Sequence, residues 1–190
     1  MSRLLIAGFG AFPQAPDNPA AAVVRRLRDE GWTPPGAQAL YAILPTTWAG
    51  AAPAVLDVAE DAAAILLIGV AVGAPGFRVE TRARNRASPT HPDAEGQTWS
   101  GDLIDPSGPA ERRTAVPALA LRDAITQAGQ PIALSDDAGD YLCNFTFYRV
   151  LAARPTTAFL HVPALGDGFT LDDLTAAARA AAAALTSHPG

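Results

Sequence analysis

The sequence reads as an α/β protein, a three-layer α/β/α sandwich around a mostly parallel central sheet. Two apolar runs, residues 3–7 and 64–69, have the length and continuity of strands buried on both faces. Segments with helical spacing alternate with strand-like ones, as crossover connections require. No repeat or composition break divides the 190 residues, a length that suits a single domain, 1–190, with a core needing no disulfide or metal.

The elements follow in order. Residues 3–7 form a first strand ending at Gly8, and a loop with Phe9 and Phe12 runs to Pro13. Asp17 or Asn18 caps a helix with Pro19 at its first position, and Val23, Val24 and Leu27 lie on one face. After a Pro/Gly turn at 31–36, residues 37–44 give a second strand. Thr46 or Thr47 is placed to cap a helix over 48–60. The strand at 64–69 leads into a flexible loop, 69–76, with three glycines, and residues 79–84 read as one further strand. The stretch 87–111 has little periodicity, which marks it as functional or partly disordered. A helix over 117–129 ends at glycine, and residues 131–135 read as a short buried strand. A turn and a helix holding Cys143 follow, then a strand over 156–162, a loop over 163–168 and a last helix from Thr170 to about Leu185. His188 begins a fraying tail.

Composition narrows the chemistry. The net charge of −5 gives no basis for a nucleic-acid or anionic-membrane surface. All fourteen basic residues are Arg, so no lysine mechanism is open. The single cysteine excludes an internal disulfide and a thiolate metal cluster. No apolar run approaches the roughly 20 residues of a membrane span, and a cytoplasmic protein is the expectation. Gly8 and Gly10 lack the third glycine of a dinucleotide loop.

Cys143 stands near a helix start, where unsatisfied N–H groups and the macrodipole favour a thiolate. Asp136, Asp137 and Asp140 crowd the same start and oppose it unless turned away. A thiol nucleophile needs a base, and the base an orienting acceptor. His161 ends a strand, where α/β sheets gather functional groups, and Glu80 is a carboxylate able to orient it. The residues alone leave other readings open: a lone cysteine is most often a small buried apolar residue, and a strand histidine is usually structural.

Five groups of residues, in order along nearly the whole chain, resemble the pyroglutamyl-peptidase I family of cysteine peptidases. They are Gly8-Phe-Gly-Ala-Phe12 followed by Asn18-Pro19; Leu44-Pro45; Glu80 with Asn85; Pro92-Asp93 with Gly96; and Ser135, Ala138-Gly139, Cys143-Asn144 followed by His161-Val-Pro163. The resemblance implies a phosphorylase/hydrolase-like sheet and no cofactor. It assigns Cys143 as nucleophile, His161 as general base and acid, and Glu80 as orienter. Phe9 and Phe12 fall where the family binds the flat lactam of an N-terminal 5-oxoproline. Peptides beginning with pyroglutamate are the implied substrates, and a dimer or tetramer the implied assembly.

The chain departs from the family at Pro13-Gln14, at the loop from Val70 to Gly76, and at Thr81 and Thr90, where arginines are usual. These departures keep two alternatives in view: a thiol amidase of different small-acyl specificity, and a non-catalytic binder of a 5-oxoproline-like ring. A nucleoside-phosphorylase-like protein is a third, but it leaves the Cys/His pair unexplained.

Overall fold

The computed structural model describes residues 2–12, 15–166 and 168–187. Pro13-Gln14 and the tail from His188 lie outside the described residues. In chain order the elements are β1 (Ser2–Phe9), α1 (Pro19–Asp29), β2 (Ala37–Leu44), α2 (Ala51–Val58), β3 (Ala64–Ala71), β4 (Phe77–Glu80), β5 (Arg82–Arg84), β6 (Glu111–Arg113), α3 (Ala118–Gln127), β7 (Ile132–Ser135), α4 (Leu142–Ala153), β8 (Thr157–Pro163) and α5 (Leu171–Ser187). The described residues form a six-stranded sheet ordered β2-β1-β3-β8-β4-β7, with β5 and β6 as a separate ribbon. Strands β2, β1, β3 and β8 are mutually parallel; β4 runs against β8 and β7 runs with β4.

Alternating side chains sort the sheet into two cores. Leu4, Ile6, Leu66, Ile68 and Leu160 pack under α1, α3 and α5. Leu5, Ala7, Leu67 and Phe159 pack under α2 and α4. The expected α/β/α layering is thus present. Local signals place several elements closely. Asn18 caps α1, its side chain accepting from the Ala20 N–H at 3.0 Å, and Pro19 opens the helix without sacrificing a bonded N–H. Thr170 and Asp173 cap α5 reciprocally, each side chain accepting from the other residue's N–H.

Tertiary contacts override the local pattern elsewhere. The helix expected over 48–60 is shorter because Trp48 is held in the preceding turn, its backbone N–H donating to Asp93 and its indole to the Gln97 carbonyl. The strand expected over 79–84 is two strands. At Thr81 the backbone N–H and the hydroxyl both donate to the Ser135 carbonyl, after which Arg82 turns to pair with β6. The glycine loop starts three residues late, at Val72, since Gly69, Val70 and Ala71 still pair with β8. β7 is not buried: it is an edge strand with Ala133 and Leu134 exposed.

The stretch 87–111 is organised by buried polar side chains. The Asn85 carboxamide accepts from the Ile104 and Asp105 N–H groups and donates to the Asp105 and Gly108 carbonyls. Asp93, 2% exposed, accepts from the Glu95 and Gln97 N–H groups as well as from Trp48. No helix among the described residues is long and apolar enough to cross a membrane.

Candidate active site

β8 is flanked by β3 and β4, so its seven residues are all buried, His161 among them. Because β4 runs antiparallel to β8, Arg78 stands opposite His161 and Glu80 opposite Phe159. Residues opposite one another, or two apart, project from the same face of a sheet. All four side chains therefore face α4. Glu80 lies diagonally from His161, a separation that a long side chain spans. Its Oε1 is 2.7 Å from His161 Nδ1. A carboxylate only accepts, so Nδ1 carries the proton and Nε2 is left for a thiol or a substrate.

Cys143 is the second residue of α4. Its sulfur lies over Gly69, the residue paired with His161 in the β3–β8 register. A Cβ at Gly69 would stand 2.8 Å from the sulfur and 2.9 Å from the Phe159 ring. The thiol does not reach His161 from a neighbouring strand end pointing the same way. β7 runs opposite to β8, and residues 136–141 carry the chain from its end to the α4 face. Gly139, at φ +86°, supplies a left-handed turn within that segment.

Cys143 and His161 line one cleft of about 760 Å³, together with Phe12, Tyr141, Val70 and Arg78. No hydrogen bond joins the thiol to His161 among the described residues; such contacts commonly tighten only when substrate binds. Burial pushes the Cys143 thiol up to about 12, with the charge of Glu80 adding to the effect and Arg78 opposing it. Desolvation and Glu80 thus work against the thiolate that the helix start was expected to favour, with the thiol itself only partly buried at the cleft. The acidic crowd expected to work against the thiol is partly neutralised by arginines, although Asp137 and Asp140 still line the cleft. Asp136 is paired with Arg82 and Arg84, and Asp137 with Arg86 through both oxygens.

Of the two phenylalanines singled out in the sequence, Phe12 lines the cleft, its ring centroid 6.1 Å from that of Tyr141. Phe9 is 2% exposed and packs in the core against Phe159, which in turn lies 4.7 Å from the His161 ring. It thus backs the ring behind His161 and does not border the cleft. Thr81 and Thr90 are engaged elsewhere, Thr90 with the Ser88 hydroxyl.

Sequence reasoning missed Arg78 and Tyr141. Arg78 precedes Glu80 by two residues, and strand periodicity alone puts the pair on one face. The Tyr141 hydroxyl donates to the Pro92 carbonyl at 2.9 Å, tying the 85–110 stretch to the start of α4. Asn144, beside the thiol and fully buried, ties the same region to the ribbon. It accepts from the Arg84 N–H and donates to the Arg84 and Arg86 carbonyls.

Comparison with known proteins identifies the family. A profile of the family described as pyroglutamyl peptidase matches residues 2–181. A pyrrolidone-carboxylate peptidase of Deinococcus radiodurans is 36% identical over 175 residues, covering 86% of this chain and 79% of the relative. One from Thermococcus onnurineus is 36% identical over 169 residues, covering 85% and 83%. The crystal structure of pyroglutamyl peptidase I from Bacillus amyloliquefaciens superimposes with a TM-score of 0.91 at 26% identity, covering 100% of this chain and 97% of that one. Profile, relatives and fold all extend across the strands and the helix that hold Glu80, Cys143 and His161, and on these grounds the chain belongs to the pyroglutamyl peptidase family of cysteine peptidases.

Proposed function

We infer that this protein is an omega-peptidase that hydrolyses the bond after an N-terminal pyroglutamyl residue, with Cys143, His161 and Glu80 as its triad. The observation that carries the reading is the convergence, in one cleft of a chain of this family, of the thiol with a buried imidazole whose Nδ1 is held by a buried carboxylate.

The geometry suits acyl transfer. His161 Nε2 takes the Cys143 proton, and the thiolate attacks the carbonyl that joins 5-oxoproline to the next residue. The tetrahedral oxyanion lies at the start of α4, where first-turn N–H groups have no intrahelical partner. As the C–N bond breaks, His161 returns its proton to the leaving amine. Water, deprotonated by His161, then attacks the thioester, releasing 5-oxoproline and restoring the thiol. Glu80 stabilises the imidazolium in both halves of the cycle. Phe12 and Tyr141 offer aromatic faces to a flat, uncharged lactam.

The test is hydrolysis of a pyroglutamyl anilide under reducing conditions, beside Cys143→Ala. Release of the aniline by wild type alone supports the reading. Silence from wild type, or equal rates from both, rejects it. Turnover of other acyl anilides in preference to the pyroglutamyl compound would favour the thiol amidase. Thermal stabilisation by 5-oxoproline without turnover would favour the binder.

A further inference from the structure

The cleft holds a single fixed positive charge among its described lining residues. Asp137 and Asp140 are acidic, His91, Tyr141 and His161 are titratable without fixed charge, and Arg78 is the cation. The other arginines nearby are committed elsewhere: Arg82 to Glu111 and Asp136, Arg84 to Asp136 and Asp137, Arg86 to Asp137. Arg78 differs. Among the described residues its Nε is buried without a hydrogen-bond partner, and its ion pair is a loose 3.9 Å approach to Glu80 Oε1. Glu80 Oε2 is likewise buried and unbonded. Register places Arg78 directly across from His161.

Charged and titratable groups approach the Cys143 sulfur from several elements. β4 presents Glu80 and Arg78, β8 presents His161, and β3 presents Gly69 with no charge. The segment before α4 presents Asp137, Asp140 and Tyr141, with His91 packed on Tyr141. A thiolate there is a second negative charge beside buried Glu80. So is the oxyanion that follows it in the proposed reaction, on which that part of the argument rests.

We propose that Arg78 sets the charge balance of this centre: its guanidinium offsets the negative charge that arises on the Cys143 sulfur, and then on the tetrahedral oxyanion, next to Glu80. The effect of Arg78 on the acidity of the thiol has the same sign, opposing both burial and Glu80. Arg78 acts here through charge on the reacting groups, at partial exposure (39%), so solvent screening moderates it.

The experiment measures the pH dependence of Cys143 alkylation by iodoacetamide, a neutral probe, in wild type, Arg78→Gln, Arg78→Met and Arg78→Lys. The two neutral variants guard against one that fails to fold. The neutral variants are expected to move the midpoint up by about one unit, cutting thiolate at fixed pH about tenfold. Arg78→Lys returns it toward wild type. In parallel, kcat/KM of the neutral variants on a pyroglutamyl anilide recovers relative to wild type as pH rises. Superimposed alkylation profiles overturn the proposal. So does a rate loss equal at every pH and not rescued by Lys, which marks a structural role. An unchanged alkylation profile with KM raised only for substrates bearing a free carboxylate would assign Arg78 to substrate binding instead. The alkylation arm needs no substrate, so an inactive wild type sinks the functional reading while still deciding the role of Arg78.

Discussion

Gly69→Ala is the sharpest test of the arrangement around the nucleophile. The added methyl would stand 2.8 Å from the Cys143 sulfur, 2.9 Å from Phe159 Cζ and 3.0 Å from Phe159 Cε1. Ordinary contact begins near 3.4 Å, so the sulfur must retreat by about 0.6 Å and the ring by about 0.5 Å. The Phe159 ring is confined by Phe9, Phe147 and His161, with centroids at 6.3, 5.4 and 4.7 Å. The thiol, at the first turn of a helix and bordering the cleft, yields more readily, while the ring must strain against its neighbours. Overpacking of this kind costs about 1–3 kcal/mol. In a chain of this size each kcal/mol lowers Tm by about 2–4 °C. Misplacing a reacting atom by about 1 Å costs about 100-fold, so a shift of this size lowers kcat/KM by roughly 10- to 100-fold. Thermal unfolding followed by circular dichroism gives the first quantity, and pyroglutamyl anilide hydrolysis the second. A variant with wild-type Tm and wild-type kcat/KM would show that the sulfur does not rest on Gly69.

Three further outcomes follow from the same geometry. Glu80→Gln keeps the shape but not the charge facing His161 Nδ1; kcat/KM should fall about 10³- to 10⁴-fold with the fold retained, and a loss under tenfold would remove Glu80 from the triad. Burial and Glu80 both favour the neutral thiol, and His161 is the proposed base that takes its proton, so His161→Ala should move the onset of Cys143 alkylation by iodoacetamide to higher pH than in wild type. Coincident alkylation profiles for the two would mean that the helix start, not His161, activates the sulfur. Asn144→Ala leaves the Arg84 N–H and the Arg84 and Arg86 carbonyls without their buried partner; urea denaturation should show a loss of about 2–4 kcal/mol, and a loss below about 1 kcal/mol would mean that water replaces the amide.

What could be read from the sequence was what local physics dictates. The Asn18 cap with Pro19, the strand of 37–44 and the start of the last helix at Thr170 depend on neighbours within a few residues, and they stand as expected. The motifs around Glu80, Cys143 and His161 were legible too, because each is contiguous. What was not legible depends on partners far away. Nothing in 79–84 reveals that Thr81 answers to Ser135, 54 residues on, and that the strand must break there. Nothing within 131–135 reveals that this strand lies at an edge. Phe9 and Phe12 look equivalent in sequence, yet alternation along β1 turns Phe9 into the core with Leu5 and Ala7 while Phe12, beyond the strand end, reaches the cleft. The acidity of the thiol could not be inferred from its helix position, since burial is set by the sheet beneath it.

The place of β8 bears on how the chain comes to be active at all. It is the last strand to be synthesised, yet it inserts between β3 and β4 rather than adding at a margin. Until it emerges, β3 and β4 each present an unpaired edge, the kind of surface that seeds aggregation. The Glu80–His161 bond closes a separation of 81 residues and forms only with this final insertion. Such long-range closure slows folding. A nascent chain, or one cut before residue 157, therefore carries Cys143 without His161, so under the proposed mechanism hydrolysis has to wait for β8 to take its place in the sheet.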